Sequence, residues 1–358
     1  MHRIIFFLLI VLVSGLESPR QMNPSKEMLE NTFIGARNDP PKEMLENTFT
    51  RSWTGPTVIN NGIRNSSYPI AYDQQNNIIV TGFNNLITLY SIDGNKIREF
   101  EVVSVIVSLD LKFNNKIVMT TKPGNSIYEY DYEGTLTHST VMGGYNRGWS
   151  QILVNQNTGS FYVVYDSGWT FIVYSFNPDY TLITQRFIDK PDTGWAGFNI
   201  GELTGNILFS SYQYIQTFNR YLNTVIDANV TDDQVFPMTT LLEPSVDFMY
   251  YLKRDRIFIF DMKTQNMISN TSVHLYFDSE AMIWHNRNCI VTICTYSKND
   301  KNIPYILFFA SDGSIVDSIN FENDTLSAFY NVFAFVNQNT GTVVANINSQ
   351  IKIWKLEN

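Results

Sequence analysis

The side chains nearest to an acid–base set in this chain are Asp278, Glu280 and His285, a short stretch of sequence with two carboxylates and one imidazole. A histidine within reach of a carboxylate can act as general base while the carboxylate orients its ring. The same residues serve equally well as satisfied polar groups in a strand and the loop before it. A second set is aromatic. Gly148-Trp149 and Gly194-Trp195 repeat one dipeptide, with Arg147 beside the first; Asp166, Trp169, Lys253 and Tyr330 fall in comparable loop positions. Together they read as an aromatic-walled ligand site with a few charges, suited to a flat or sugar-like organic molecule. Ordinary packing of aromatics at the ends of strands gives the same pattern.

Other chemistries find no support. His138, His274 and His285 are scattered, and a zinc site needs three or four convergent ligands, so no metal is expected. Asp232-Asp233 and the Asn299-Asp300 loop read as solvated turns before they read as calcium sites. There is no Ser/His/Asp spacing, no glycine loop that would cradle a phosphate and no HExxH motif, and no cofactor is implied. The formal charge is −9 with no cluster of lysine or arginine, which argues against nucleic acid as a partner.

The first residues read as a secretory leader. His2-Arg3 is the positive region, Ile4 to Val13 the apolar core, and Val13-Ser14-Gly15 offers small residues for cleavage, giving a signal peptide over 1–15. The apolar run is too short to span a bilayer. An exported chain, with no membrane span, is therefore expected, and Asn65, Asn229, Asn270 and Asn323 stand in glycosylation sequons. The two cysteines, Cys289 and Cys294, lie in one strand-like run. Five residues of strand span about 17 Å with the side chains on opposite faces, too far for a disulfide. Packing rather than a covalent staple must hold the fold.

Residues 16–55 differ in kind. Lys26-Glu27-Met28-Leu29-Glu30-Asn31-Thr32-Phe33 recurs as Lys42-Glu43-Met44-Leu45-Glu46-Asn47-Thr48-Phe49, with Pro40-Pro41 between the copies. We read this stretch as a disordered tail; a removable propeptide and a paired docking motif are the other readings.

From residue 56 a repeat takes over. Isoleucines 87, 127, 172, 215, 257, 306 and 351 recur at a spacing near 44 residues. An aromatic follows three residues later in six of the seven copies; in the third, Val173 rather than Ile172 stands three before Phe176. Short strands at that period are the signature of a β-propeller, one blade per copy. The fold class is thus all-β, a seven-bladed β-propeller over 56–358, with blades near 66–103, 104–143, 149–189, 194–231, 236–274, 277–322 and 326–358. Asp93-Gly94, Glu133-Gly134 and Asp312-Gly313 mark tight turns into outer strands. Val154-Asn155-Gln156-Asn157-Thr158-Gly159 recurs as Val336-Asn337-Gln338-Asn339-Thr340-Gly341, a turn shared by blades 3 and 7. The last copy ends on a third strand. Pro56-Thr57-Val58-Ile59-Asn60 is therefore expected to pair beside Ile351 and close the ring.

The blade sentence from Asp73 through Asn77-Ile78-Ile79-Val80-Thr81-Gly82 to Leu86-Ile87-Thr88-Leu89-Tyr90 resembles NHL-type and WD-repeat-like propellers. The Gly-His and Trp-Asp dipeptides of WD repeats are missing. The resemblance implies architecture and carries over no functional residue.

Two function classes follow. One is a secreted, glycosylated propeller that binds a small organic molecule or an extracellular protein at the loop face around its channel, as a monomer. The other is an enzyme without a motif: a cofactor-independent oxidase or oxygenase of the luciferase type, or a hydrolase or lyase using an aromatic pocket. A closed pocket holding Trp149, Trp195 and His285 would favour the enzyme, and a flat exposed aromatic patch would favour binding.

Overall fold

The structure, a computed structural model, describes residues 53–59, 69–122, 126–142, 149–189, 197–201, 203–211, 214–229, 239–243, 245, 247–253, 256–272, 276–277, 281–298, 301–310, 312, 314–320, 333–347 and 350–357. All belong to one compact unit, 42–358; residues 1–41 lie outside the described residues, as does the duplicated segment.

Seven antiparallel sheets follow one another along the chain, each a blade. Blade 1 runs Ile70–Asp73, Ile78–Phe83, Leu86–Ser91 and Lys96–Glu101. Blade 2 follows with inner strand Val105–Lys112, blade 3 with Ser150–Val154, blade 4 with Gly197–Ile200 and blade 5 with Thr239–Leu242. Blade 6 departs from the pattern. Its inner strand is split into Tyr276–Phe277 and Met282–Trp284, both paired to the long second strand Cys289–Lys298. Its first residue, Tyr276, precedes the expected boundary. Blade 7 takes Phe333–Val336, Val343–Ile347 and Gln350–Leu356 from the end of the chain.

The fourth strand of blade 7 comes from the front, as the sequence predicts. Trp53–Ile59 pairs antiparallel with Gln350–Leu356, setting Thr57 opposite Ile353 and Ile59 opposite Ile351. The strand begins at Trp53, ahead of the expected boundary at 56, because Trp53 stacks on Phe308 of blade 6 at 5.3 Å. Closure covers the edge that a three-stranded final sheet would leave open.

The recurring isoleucine and aromatic each have a structural cause. The isoleucines sit in the third strands, packed between neighbouring sheets and almost fully buried. Burying each contributes roughly 1.5–3 kcal/mol. The aromatics Tyr90, Tyr130, Phe176, Phe218, Phe260 and Phe309 all fall where the pairing of third and outer strands slips by one residue. Such a bulge bends and twists the outer strand, and a large ring fills the space beneath it. Trp354 stands at the corresponding slip in blade 7.

The two cysteines are buried and joined by no disulfide. Cys289 packs towards blade 7 and Cys294 towards blade 5, on opposite faces of their strand. A buried ion pair within blade 2 is joined to blade 3 by a tyrosine. The Lys112 ammonium donates to Glu129 Oε2 at 3.1 Å, Tyr180 of blade 3 donates to the same oxygen at 2.6 Å, and Thr137 donates to Oε1 at 2.7 Å. Burial pushes the Glu129 carboxyl up, but the hydrogen bonds from Tyr180, Thr137 and Lys112, with the Lys112 charge, outweigh it and hold it below the usual carboxylate range. Among the described residues, no helix is long and apolar enough to cross a membrane.

Candidate functional site

Every inner strand runs in the same direction, so the ring has two distinct faces. The loops leading into inner strands share one face with the turns between second and third strands. The turns between first and second strands share the other with those between third and outer strands. We refer to these as the loop face and the turn face.

The turn face is fastened from blade to blade. Asn76 donates to Asn115 at 2.9 Å, and the Phe113 ring covers Gly159. Thr204 donates its N–H and hydroxyl to Glu243 at 3.1 and 3.0 Å. The His285 N–H donates to Gln338 Oε1 at 2.8 Å, and the Gln338 N–H to Gln74 Oε1 at 3.1 Å. The repeated six-residue turn serves this girdle. Asn155 Oδ1 accepts from the amides of Asn157 and Thr158 at 3.0 and 3.2 Å; Asn337 Oδ1 accepts from Asn339 and Thr340 at 2.9 and 3.0 Å. Gly159 and Gly341 both take φ of +71°, which a side chain would strain. Glu243 is buried here; burial pushes its carboxyl up against the pull of Thr204.

On the loop face, blade 3 brings three of the expected residues together. Trp149 leads into the inner strand, and its carbonyl accepts the Asp166 N–H at 3.2 Å. Its ring lies 5.9 Å from Phe171, edge on, and 6.5 Å from Phe198 of blade 4, yet 40% of the residue stays exposed. Asp166 Oδ1 accepts the Gly168 N–H at 2.6 Å, which fixes the turn that follows. At the tip of that turn Trp169 is 85% exposed. The arrangement offers indole surface and a carboxylate, which suit stacking and hydrogen bonding.

The remaining expected residues scatter. Arg147, Trp195, Asp278, Glu280, Tyr330, Asn65 and Asn323 lie outside the described residues. Lys253 ends the second strand of blade 5 opposite Arg256; Asn229 ends the outer strand of blade 4 opposite Tyr214. Asn270 is exposed on the outer strand of blade 5. The expectation for His285 needs correction. It follows the inner strand of blade 6 and opens a short 3-10 turn, His285–Arg287, on the turn face. Trp149 precedes its own inner strand, so the two sit at opposite ends of the ring's strands and share no pocket.

Asp110, the carboxylate within an inner strand, bonds a neighbouring blade. Its Oδ2 accepts the Val154 N–H of blade 3 at 2.8 Å, and its Oδ1 the Leu111 N–H at 2.7 Å. Ser108 accepts the Ile152 N–H in the same way, at 3.1 Å. These side chains satisfy amides on the open edge of the next inner strand. Sequence reasoning missed three residues: Glu243, Arg287 and Asp317.

No protein-family profile matches the chain, and no curated protein matches it. Among solved structures it is similar to the WD40 domain of Pan2 from Neurospora crassa, with a TM-score of 0.63 and 10% identity, covering 88% of this chain and 98% of that domain. At that identity the likeness concerns the fold alone: the chain folds as a seven-bladed propeller.

Proposed function

We propose that this chain is an exported, glycosylated binding propeller that engages an extracellular protein or a small organic molecule through its loop face, with blade 3 as the contact. The propeller fold is commonly a platform for binding. The observation that carries the reading is Trp169, held 85% exposed at the tip of a fixed turn beside Trp149. Tryptophan is enriched at the centres of binding sites, because it supplies a large rigid surface at low entropic cost. The opposite placement of Trp149 and His285 supports binding over the motif-less enzyme, which called for both in one closed pocket. Export rests on the leader over 1–15.

The test compares the mature chain with its Trp149→Ala/Trp169→Ala variant on arrays of extracellular glycans and secreted proteins. The reading expects wild-type binders that the variant loses by about tenfold or more, the effect of one hot-spot residue. Binders retained equally by both chains would remove blade 3 from the account. Turnover of a small ester or sugar that survives the double substitution would bring back the enzyme reading.

A further inference from the structure

The outer strands of blades 1 to 6 run towards the loop face, and the repeat fixes what stands near their ends. In blades 1, 3, 4, 5 and 6 the last residue is polar: Glu101, Asp189, Asn229, Ser272 and Asn320. Blade 2 ends instead on Val141, 83% exposed. Two residues earlier, blades 1, 2, 4, 5 and 6 carry Glu99, Ser139, Asp227, Asn270 and Ser318. Blade 3 carries Phe187 there, 60% exposed. Both exceptions fall on neighbouring blades, and both leave an apolar side chain in water where the other blades place a polar one. We propose that blades 2 and 3 bind a second copy of this chain, loop face to loop face, about a two-fold axis. The inference rests on blade 3 being the contact and names its partner, in place of the monomer expected from the sequence.

The surface has two unlike halves. Blade 3 supplies rings: Trp149, Trp169 and Phe187, all exposed. Blade 2 supplies valines: Val141, Val105 at the start of its inner strand and Val103 in the loop before it, also exposed. A two-fold that lays blade 3 of one copy on blade 2 of the other sets rings against valines, and does so twice. Charge is complementary in the same sense. Lys122, opposite Val105 on blade 2, is exposed, and so is Asp189, which ends the outer strand of blade 3. The same two-fold brings each lysine towards the aspartate of the other copy. At those exposures the six apolar side chains leave roughly 700 Å² in water, more than the roughly 300–600 Å² of the largest apolar patch on an ordinary monomer and close to the about 800 Å² that each partner gives to a standard interface. A close contact also needs a surface clear of glycans. The four sequons, at Asn65, Asn229, Asn270 and Asn323, leave blades 1 to 3 without one.

The mature chain is followed by sedimentation velocity from about 1 to about 100 µM, and its mass should double across that range. Phe187→Ser and Val141→Asn put back residues that other blades carry at the same register. Both positions are exposed, so neither change disturbs the core, and each should weaken the dimer by about tenfold or more, since a two-fold contact loses the side chain twice. Lys122→Asp and Asp189→Lys should each weaken it by about tenfold. The chain carrying both should return to within about threefold of the wild type, because each copy then offers the exchanged charges. A chain that stays a monomer at about 100 µM, or a dimer that none of these four substitutions weakens, would overturn the inference. The arrays of glycans and secreted proteins are read separately. Binders lost with Trp149 and Trp169, on a chain that stays monomeric, would keep blade 3 as the contact and remove the second copy from it.

Discussion

Replacing Asp110 with asparagine tests the inter-blade bonding of the inner strands through its dependence on pH. The carboxyl is half-buried between blades 2 and 3, and burial pushes it from 3.8 up to about 7, against the opposing pull of the Val154 and Leu111 amides. The folded chain thus holds a proton that the unfolded chain releases near pH 4. A raised carboxyl weakens the fold as pH climbs from the unfolded value to the folded one, and the loss is complete above about 7. From 3.8 to about 7, at 1.36 kcal/mol per pH unit, the loss approaches roughly 4 kcal/mol as a ceiling. Asparagine has no such titration. The Asp110→Asn variant should therefore gain on the wild type by up to roughly 4 kcal/mol between pH 4 and pH 8. Urea unfolding of both chains at several pH values measures the difference, in which every other titrating group cancels. A difference that stays flat would refute the reasoning. So would one of opposite sign, meaning that the two amides stabilise the ionised form more than burial disfavours it.

Three further outcomes follow from the packing. Ile59→Ala removes a buried side chain from the closing strand and should cost about 2–4 kcal/mol, read as a lower urea midpoint with an unchanged slope. Lys112→Ala strands the Glu129 carboxylate between blades 2 and 3 and should cost about 3–5 kcal/mol, with Glu129→Gln in the same chain recovering part of it. Asn270, exposed on its strand, should carry a glycan in the exported protein, so that Asn270→Gln lowers the mass by one glycan; an unchanged mass would show the sequon unused.

The architecture was legible because its signal is periodic. A third strand covered on both faces needs an unbroken apolar run, and each bulge needs a ring, so every blade writes the same beat. The closing strand could be read for a related reason: a chain that stops on a third strand must find its fourth elsewhere. The site was less legible. Trp149, Asp166 and Trp169 could be placed on one face because they flank two strands of one blade. His285 went to the wrong face because it follows its inner strand, where Trp149 precedes one. Asp317 escaped because Ile315 and Val316 adjoin at the bulge, and an apolar pair does not say which of its members faces inward.

Both faces, and every residue placed on them, depend on the ring being closed by Trp53–Ile59 beside Gln350–Leu356. Amide hydrogen exchange on the mature chain tests this directly. The account predicts that peptides over 53–59 and 350–356 are protected as strongly as the second strand of blade 1, Ile78–Phe83. Exchange within seconds across 53–59, at the rate of an unstructured peptide, would contradict it.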